Sequence, residues 1–193
     1  MTDTTLAHSA PAGAIRPRYA VMTLAALAVL IVAVASPSTW LLQWVHIMSG
    51  TLWTGIDLFM GFIIGPVMRM LPLEARRPIM AALVPRMLFL MPTLSILTGT
   101  AGWYLAKRTG YLDVGYPEFY WVAAALSILA VLTVQGLAIL LPTNFKVYRE
   151  MQKPQPDFAR VGYLMKWYVR VVAIQGVMQV AMIVIMARFG SGL

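Results

Sequence analysis

Long apolar runs separated by short polar or basic gaps make up most of this chain. They cover residues 19–35, 40–71, roughly 79–106, roughly 118–141 and roughly 160–188. An α-helix needs about 20 apolar residues to cross the hydrocarbon of a bilayer, and each run is close to that length or longer. None shows the apolar–polar alternation of a half-buried strand. The pattern therefore predicts an all-α integral membrane bundle of five transmembrane helices, a four-helix core preceded by an N-terminal helix. Residues 1–18, small and polar and ending in "IRPR", predict a disordered cytoplasmic tail ahead of a single domain, 19–193. The "AVA" at 33–35 also fits a signal-peptide cleavage site; the long tail before the first run favours a retained helix. "TNFKVYREMQ" at 143–152 predicts a short interfacial helix that "KPQPD" ends.

One run breaks the apolar pattern. Residues 46–57 read HIMSGTLWTGID. At about 100° per residue, His46, Gly50, Trp53 and Asp57 fall within roughly 60° of one another on one helix face. A misplaced polar group in hydrocarbon costs several kcal/mol, so this stripe predicts a partner on a neighbouring helix. Arg86 is the other charge set clearly inside a span, and a long arginine reaching outward predicts an intramembrane Asp57–Arg86 pair, with a proton relay or an anion anchor as the functional alternative. Gln135, Gln175 and Gln179 are further buried amides, suited to interhelical hydrogen bonds, and Gln175 and Gln179, one turn apart, could instead face a cavity.

Composition narrows the chemistry. The 193 residues are 60% hydrophobic and 11% charged, with a mean hydropathy of +0.76, against about 25% charged in soluble domains. The net charge of +8 lies in the gaps between apolar runs, which is how cations orient a membrane protein and argues against nucleic acid as a partner. Arg16, Arg18, Arg69, Arg76, Arg77, Lys146, Arg149, Lys153 and Arg160 fall on one side, and Lys107, Arg108 and Arg188 on the other. That imbalance predicts a bacterial inner-membrane protein with its N-terminus in the cytoplasm and its C-terminus outside. With no cysteine, thiolate metal sites, iron–sulfur clusters and thioether-linked haem are excluded. No phosphate loop, HExxH helix or Gly-x-Ser-x-Gly elbow is present.

His46 has two readings. An imidazole in a membrane can simply bond to a neighbouring helix, or it can serve as the axial ligand of a b-type haem, with one ring nitrogen aimed into an apolar slot. At the same depth, Gly99, Gly102 and the "AAA" at 123–125 are small enough to leave room for a flat macrocycle. Trp53 could wall it, and Met178 or Met182 could supply a thioether as sixth ligand. His8 lies in the tail, so one chain offers no second histidine for a bis-histidine site.

On these residues the chain resembles the membrane superfamily of CopD-type copper-resistance proteins, HemJ-type protoporphyrinogen oxidases and the membrane part of cytochrome-linked urate oxidases, above all its uncharacterised integral membrane branch. His46 followed by Trp53 and Gly55 carries the resemblance, with "GPVMR" at 65–69, "MPTLSILTGTAGWYLA" at 91–106, "LPTN" at 141–144 and "QGVMQ" at 175–179. It covers residues 40–190. It implies haem b held by the histidine of the first core helix, here His46. HemJ-type enzymes also carry a lysine and a second histidine on the helix corresponding to span four, and "FYWVAAALSILAVLTVQGLAILLP" has neither. CopD-type uptake usually brings more metal ligands than this chain has. The expectation is an electron-transfer subunit with haem b bound by His46, Gly50, Trp53, Gly99 and Met182, exchanging electrons between the quinone pool and an outer-side cytochrome, alone, as a homodimer or in a larger complex. A structural or copper-related transport subunit without haem is the alternative, and a HemJ-like oxidase a further one.

Overall fold

The computed structural model describes residues 15–192, apart from the side chains of Leu73, Glu74 and Arg77. Most of the expected tail, including His8, lies outside the described residues. Among the described residues all regular structure is helical: α1 Pro17–Ala35, α2 Thr39–Phe59, α3 Gly65–Met70, α4 Leu73–Arg108, α5 Phe119–Val134, α6 Leu141–Met151 and α7 Phe158–Gly190. Among the described residues five segments are long and apolar enough to span a bilayer: Pro17–Ala35, Thr39–Met70, Pro78–Arg108, Phe119–Met151 and Phe158–Gly190. Pro17 sits in the first turn of α1, where its missing N–H costs nothing. Ser38 opens α2 by accepting from the Leu41 N–H at 3.2 Å, and Asp157 opens α7 by accepting from the Arg160 N–H at 3.0 Å.

Two spans contain a widened turn. Met60–Ile64 joins α2 to α3, and Gln135–Leu140 joins α5 to α6, each in π-helical form. A proline follows each after one intervening residue, Pro66 after Gly65 and Pro142 after Leu141, in the first turn of the next helix. Proline has no N–H to donate and clashes with the carbonyl four residues back; a wider turn before it relieves that clash without breaking the helix. This alters one expectation: residues 143–152 do not form a separate interfacial helix but continue span four as α6.

Helix α4 is the organising element. It packs most extensively on α2, then on α1 and α6, while α7 packs on α5, α2 and α6. Helix α1 lies against α2 and α4, with Leu30 and Ala33 buried among Leu42, Val45, Leu97 and Ala101. Large apolar side chains such as Val21, Phe62, Tyr163 and Val177 remain exposed, as a lipid-facing surface requires. Trp40, Trp44, Trp103, Tyr116, Tyr120 and Trp121 are exposed around one end of the bundle, the aromatic girdle of a membrane–water interface. At the other end Glu150 accepts from Lys153 at 2.8 Å, lies 3.9 Å from Arg160 and accepts from the Asp157 N–H at 3.2 Å. Those bonds close the turn between α6 and α7.

Candidate functional site

The polar stripe of α2 meets two different neighbours. Near the girdle, the imidazole of His46 lies on α4. Its Nδ1 is 2.9 Å from the Thr98 carbonyl oxygen. A carbonyl can only accept, so Nδ1 carries the proton and, in the neutral ring, Nε2 carries the lone pair. The ring reaches that carbonyl because residue 102, the next turn of α4, is glycine. A Cβ there would stand 2.7 Å from His46 Cε1 and 2.9 Å from Nδ1. One turn deeper, Thr98 donates through its hydroxyl to Ser49 Oγ at 2.9 Å, and Ser49 donates to the Val45 carbonyl at 2.7 Å. A Cβ on Gly50 would touch Thr98 Cγ2 at 3.3 Å. His46, Ser49, Gly50, Thr98 and Gly102 thus form one close α2–α4 seam.

The residues expected to frame a slot beside His46 are used in packing. Gly102 touches the imidazole itself, and a Cβ on Gly99 would meet Leu129 of α5 at 3.5 Å. Trp53 is buried with Leu94 and Leu132, against Ile56, Met91, Ile128 and Met178. Met182 lies half-buried one turn beyond Met178. His46 itself is half-buried, and its Nε2 has no hydrogen bond among the described residues. The donor chemistry of His46 suits an axial ligand; the space between α2 and α4 is filled.

Deeper in the bundle, Asp57 faces α7. Its Oδ2 accepts from Gln175 Nε2 at 2.5 Å and from Gln179 Nε2 at 2.9 Å. All three residues are buried, at 6%, 2% and 3% exposure. The expected Asp57–Arg86 pair does not form. Arg86 is exposed on another face of α4, where its guanidinium donates to the Ala82 carbonyl and lies 5.9 Å from the Tyr19 ring centroid. Counting rise along two helices placed the charges near enough in height, but Asp57 turns toward α7 and Arg86 toward α1.

Beside Asp57 is a chamber of about 50 Å³. Asp57, Gln175, Ser95, Asn144 and Tyr168 supply its polar wall, and Trp53, Met87 and Met91 much of its apolar wall. Asn144 Nδ2 is 3.4 Å from the Tyr168 hydroxyl. Asn144 and Tyr168 were not singled out from the sequence as site residues; the one signal for Asn144 was its place in "LPTN", and Tyr168 had none. Among the described residues no three His, Cys, Asp or Glu side chains cluster as a metal site. Comparison with protein-family models, curated proteins and solved structures finds no match.

Proposed function

We propose that this multi-pass helical membrane protein binds haem b through His46 and serves as an electron-transfer subunit between the quinone pool and a partner on the side opposite its N-terminus. One observation carries the reading. The Thr98 carbonyl accepts from Nδ1 and leaves the Nε2 lone pair free, the arrangement by which a backbone carbonyl fixes the tautomer and orientation of a ligating histidine. Bound haem would supply one-electron exchange. Gly102 and Thr98 occupy one side of the ring, so His46 would have to hold the group through Nε2 from the side facing away from α4. The excess of basic residues at one end supports a cytoplasmic N-terminus in a bacterial inner membrane.

The test is a reduced-minus-oxidised spectrum of the purified protein, with His46→Ala alongside. A b-type spectrum in the wild type, lost in the variant, is the expected result. A wild type that stays colourless after reconstitution with haem overturns it.

A second reading has its own support. The same bonds that orient His46 and Asp57 also tie α2 to α4 and to α7, which is all a haem-free structural or copper-related transport subunit would need of them. Copper content after mild purification, together with uptake assays, separates that case. A porphyrinogen oxidase is disfavoured by the absence of lysine and histidine from residues 119–141, and failure to complement a strain lacking that enzyme is the expected outcome.

A further inference from the structure

Asp57 is a carboxylate deep in the bundle with no cation beside it: neither ion pair among the described residues involves it. A buried charge without a counter-charge is costly, and two glutamine amides supply hydrogen bonds but no neutralising charge. Both of those amides bond to Oδ2. Oδ1 accepts no hydrogen bond from the described residues, and Asp57 lines the chamber.

The rest of the wall has oxygen to offer. Gln175 is 2% exposed, borders the chamber and has already committed its NH₂ to Asp57; its Oε1 is buried with no hydrogen-bond partner. With Asp57 ionised that orientation is forced, since turning the amide would set Oε1 against the carboxylate. Buried polar atoms are rarely left unpaired, so this oxygen calls for a donor or a cation. Asn144, Tyr168 and Ser95 add further oxygens around the same space. One carboxylate with several neutral oxygens matches a hard ion of single positive charge; a divalent ion would leave a net charge in the bundle. The volume of about 50 Å³ admits an ion or a few waters. The two π-turns border this place as well: Asp57 stands three residues before Met60–Ile64, and Gly136, Leu137 and Leu140 of the other line the chamber. Such turns concentrate at functional sites.

We propose that the Asp57 chamber is a binding site for one dehydrated monovalent hard cation of sodium size, held by Asp57 and Gln175 with Asn144, Tyr168 or Ser95 completing its oxygen shell. The site neutralises Asp57 and couples α2, α6 and α7 to cation occupancy. It is independent of any haem at His46.

The experiment uses the full-length protein in detergent with sodium, potassium, choline or silver salts at matched ionic strength. Thermal unfolding and equilibrium binding of radioactive sodium are measured together. Sodium is expected to raise the melting temperature saturably by a few degrees over choline and to bind as a single ion per chain. Asp57→Asn should lose both effects, and Gln175→Leu should weaken sodium binding at least several-fold. If Asp57→Asn does not fold, the wild-type stoichiometry and the Gln175→Leu shift still decide. Equal melting in sodium and choline with no bound sodium overturns the proposal and leaves Asp57 to be neutralised by a proton. A response to silver alone also overturns it, in favour of a soft site at Met87 and Met91.

Discussion

With no Cβ at residue 102, the His46 ring passes over one turn of α4 and reaches the Thr98 carbonyl, and an added methyl would meet Cε1 at 2.7 Å. The colliding atoms belong to a side chain that can rotate, so Gly102→Ala should fold and displace the ring. Loss of one hydrogen bond costs about 1 kcal/mol, and nitrogen-15 shifts of His46 should show Nδ1 no longer fixed as the donor. If haem is bound, the same variant should weaken it without removing the ligand. At Asp57 the balance differs, because Asp57→Leu strips two buried amides of their acceptor. An unsatisfied buried group costs about 1–3 kcal/mol; Asp57→Leu should therefore melt well below Asp57→Asn, whose remaining oxygen still accepts. The stripe of His46, Gly50, Trp53 and Asp57 was legible in the sequence because helical periodicity alone places those residues on one face. Their partners were not. Whether Asp57 meets Arg86 or Gln175 depends on the azimuth of α4 and α7, and hydropathy carries no information about rotation around a helix axis.

Four of the spans were readable to within two residues at each end, since in hydrocarbon a helix must satisfy its own backbone, whereas span four runs on to Met151, well past its expected end near 141. The joins within spans were not, because a π-turn depends on how a proline clash is relieved in three dimensions. Pro66 and Pro142 each follow such a turn. Pro142→Ala restores an N–H and removes the clash, so Gln135–Leu140 should tighten toward α-helix. Amide hydrogen exchange across that segment should slow several-fold in the variant. Retightening would also rotate α6 relative to α5 and carry Asn144 away from Asp57. Loss of any sodium-dependent stabilisation in Pro142→Ala, with the fold kept, would link the turn to the chamber.

On the scale of the molecule, the excess of basic residues at one end sets the expected orientation, and this can be tested directly because the sequence has no cysteine. Single cysteines at Asp113, in the turn between α4 and α5, and at Gln155, in the turn between α6 and α7, should react differently with a membrane-impermeant thiol reagent in intact cells. The variant at 113 should label and the variant at 155 should not; the reverse pattern would invert the topology. The link between Asp57 and Gln175 spans 118 residues of sequence, and this has a consequence for biosynthesis. Ribosomes deliver span two long before α7 exists, so a carboxylate enters the bilayer while the side chains that later receive it are still unmade. An aspartate at the centre of an inserting helix costs about 2.5–3.5 kcal/mol. The nascent chain must therefore shelter that residue against the translocation machinery or an earlier helix until α7 has been made, and that much later helix completes the fold around the second span.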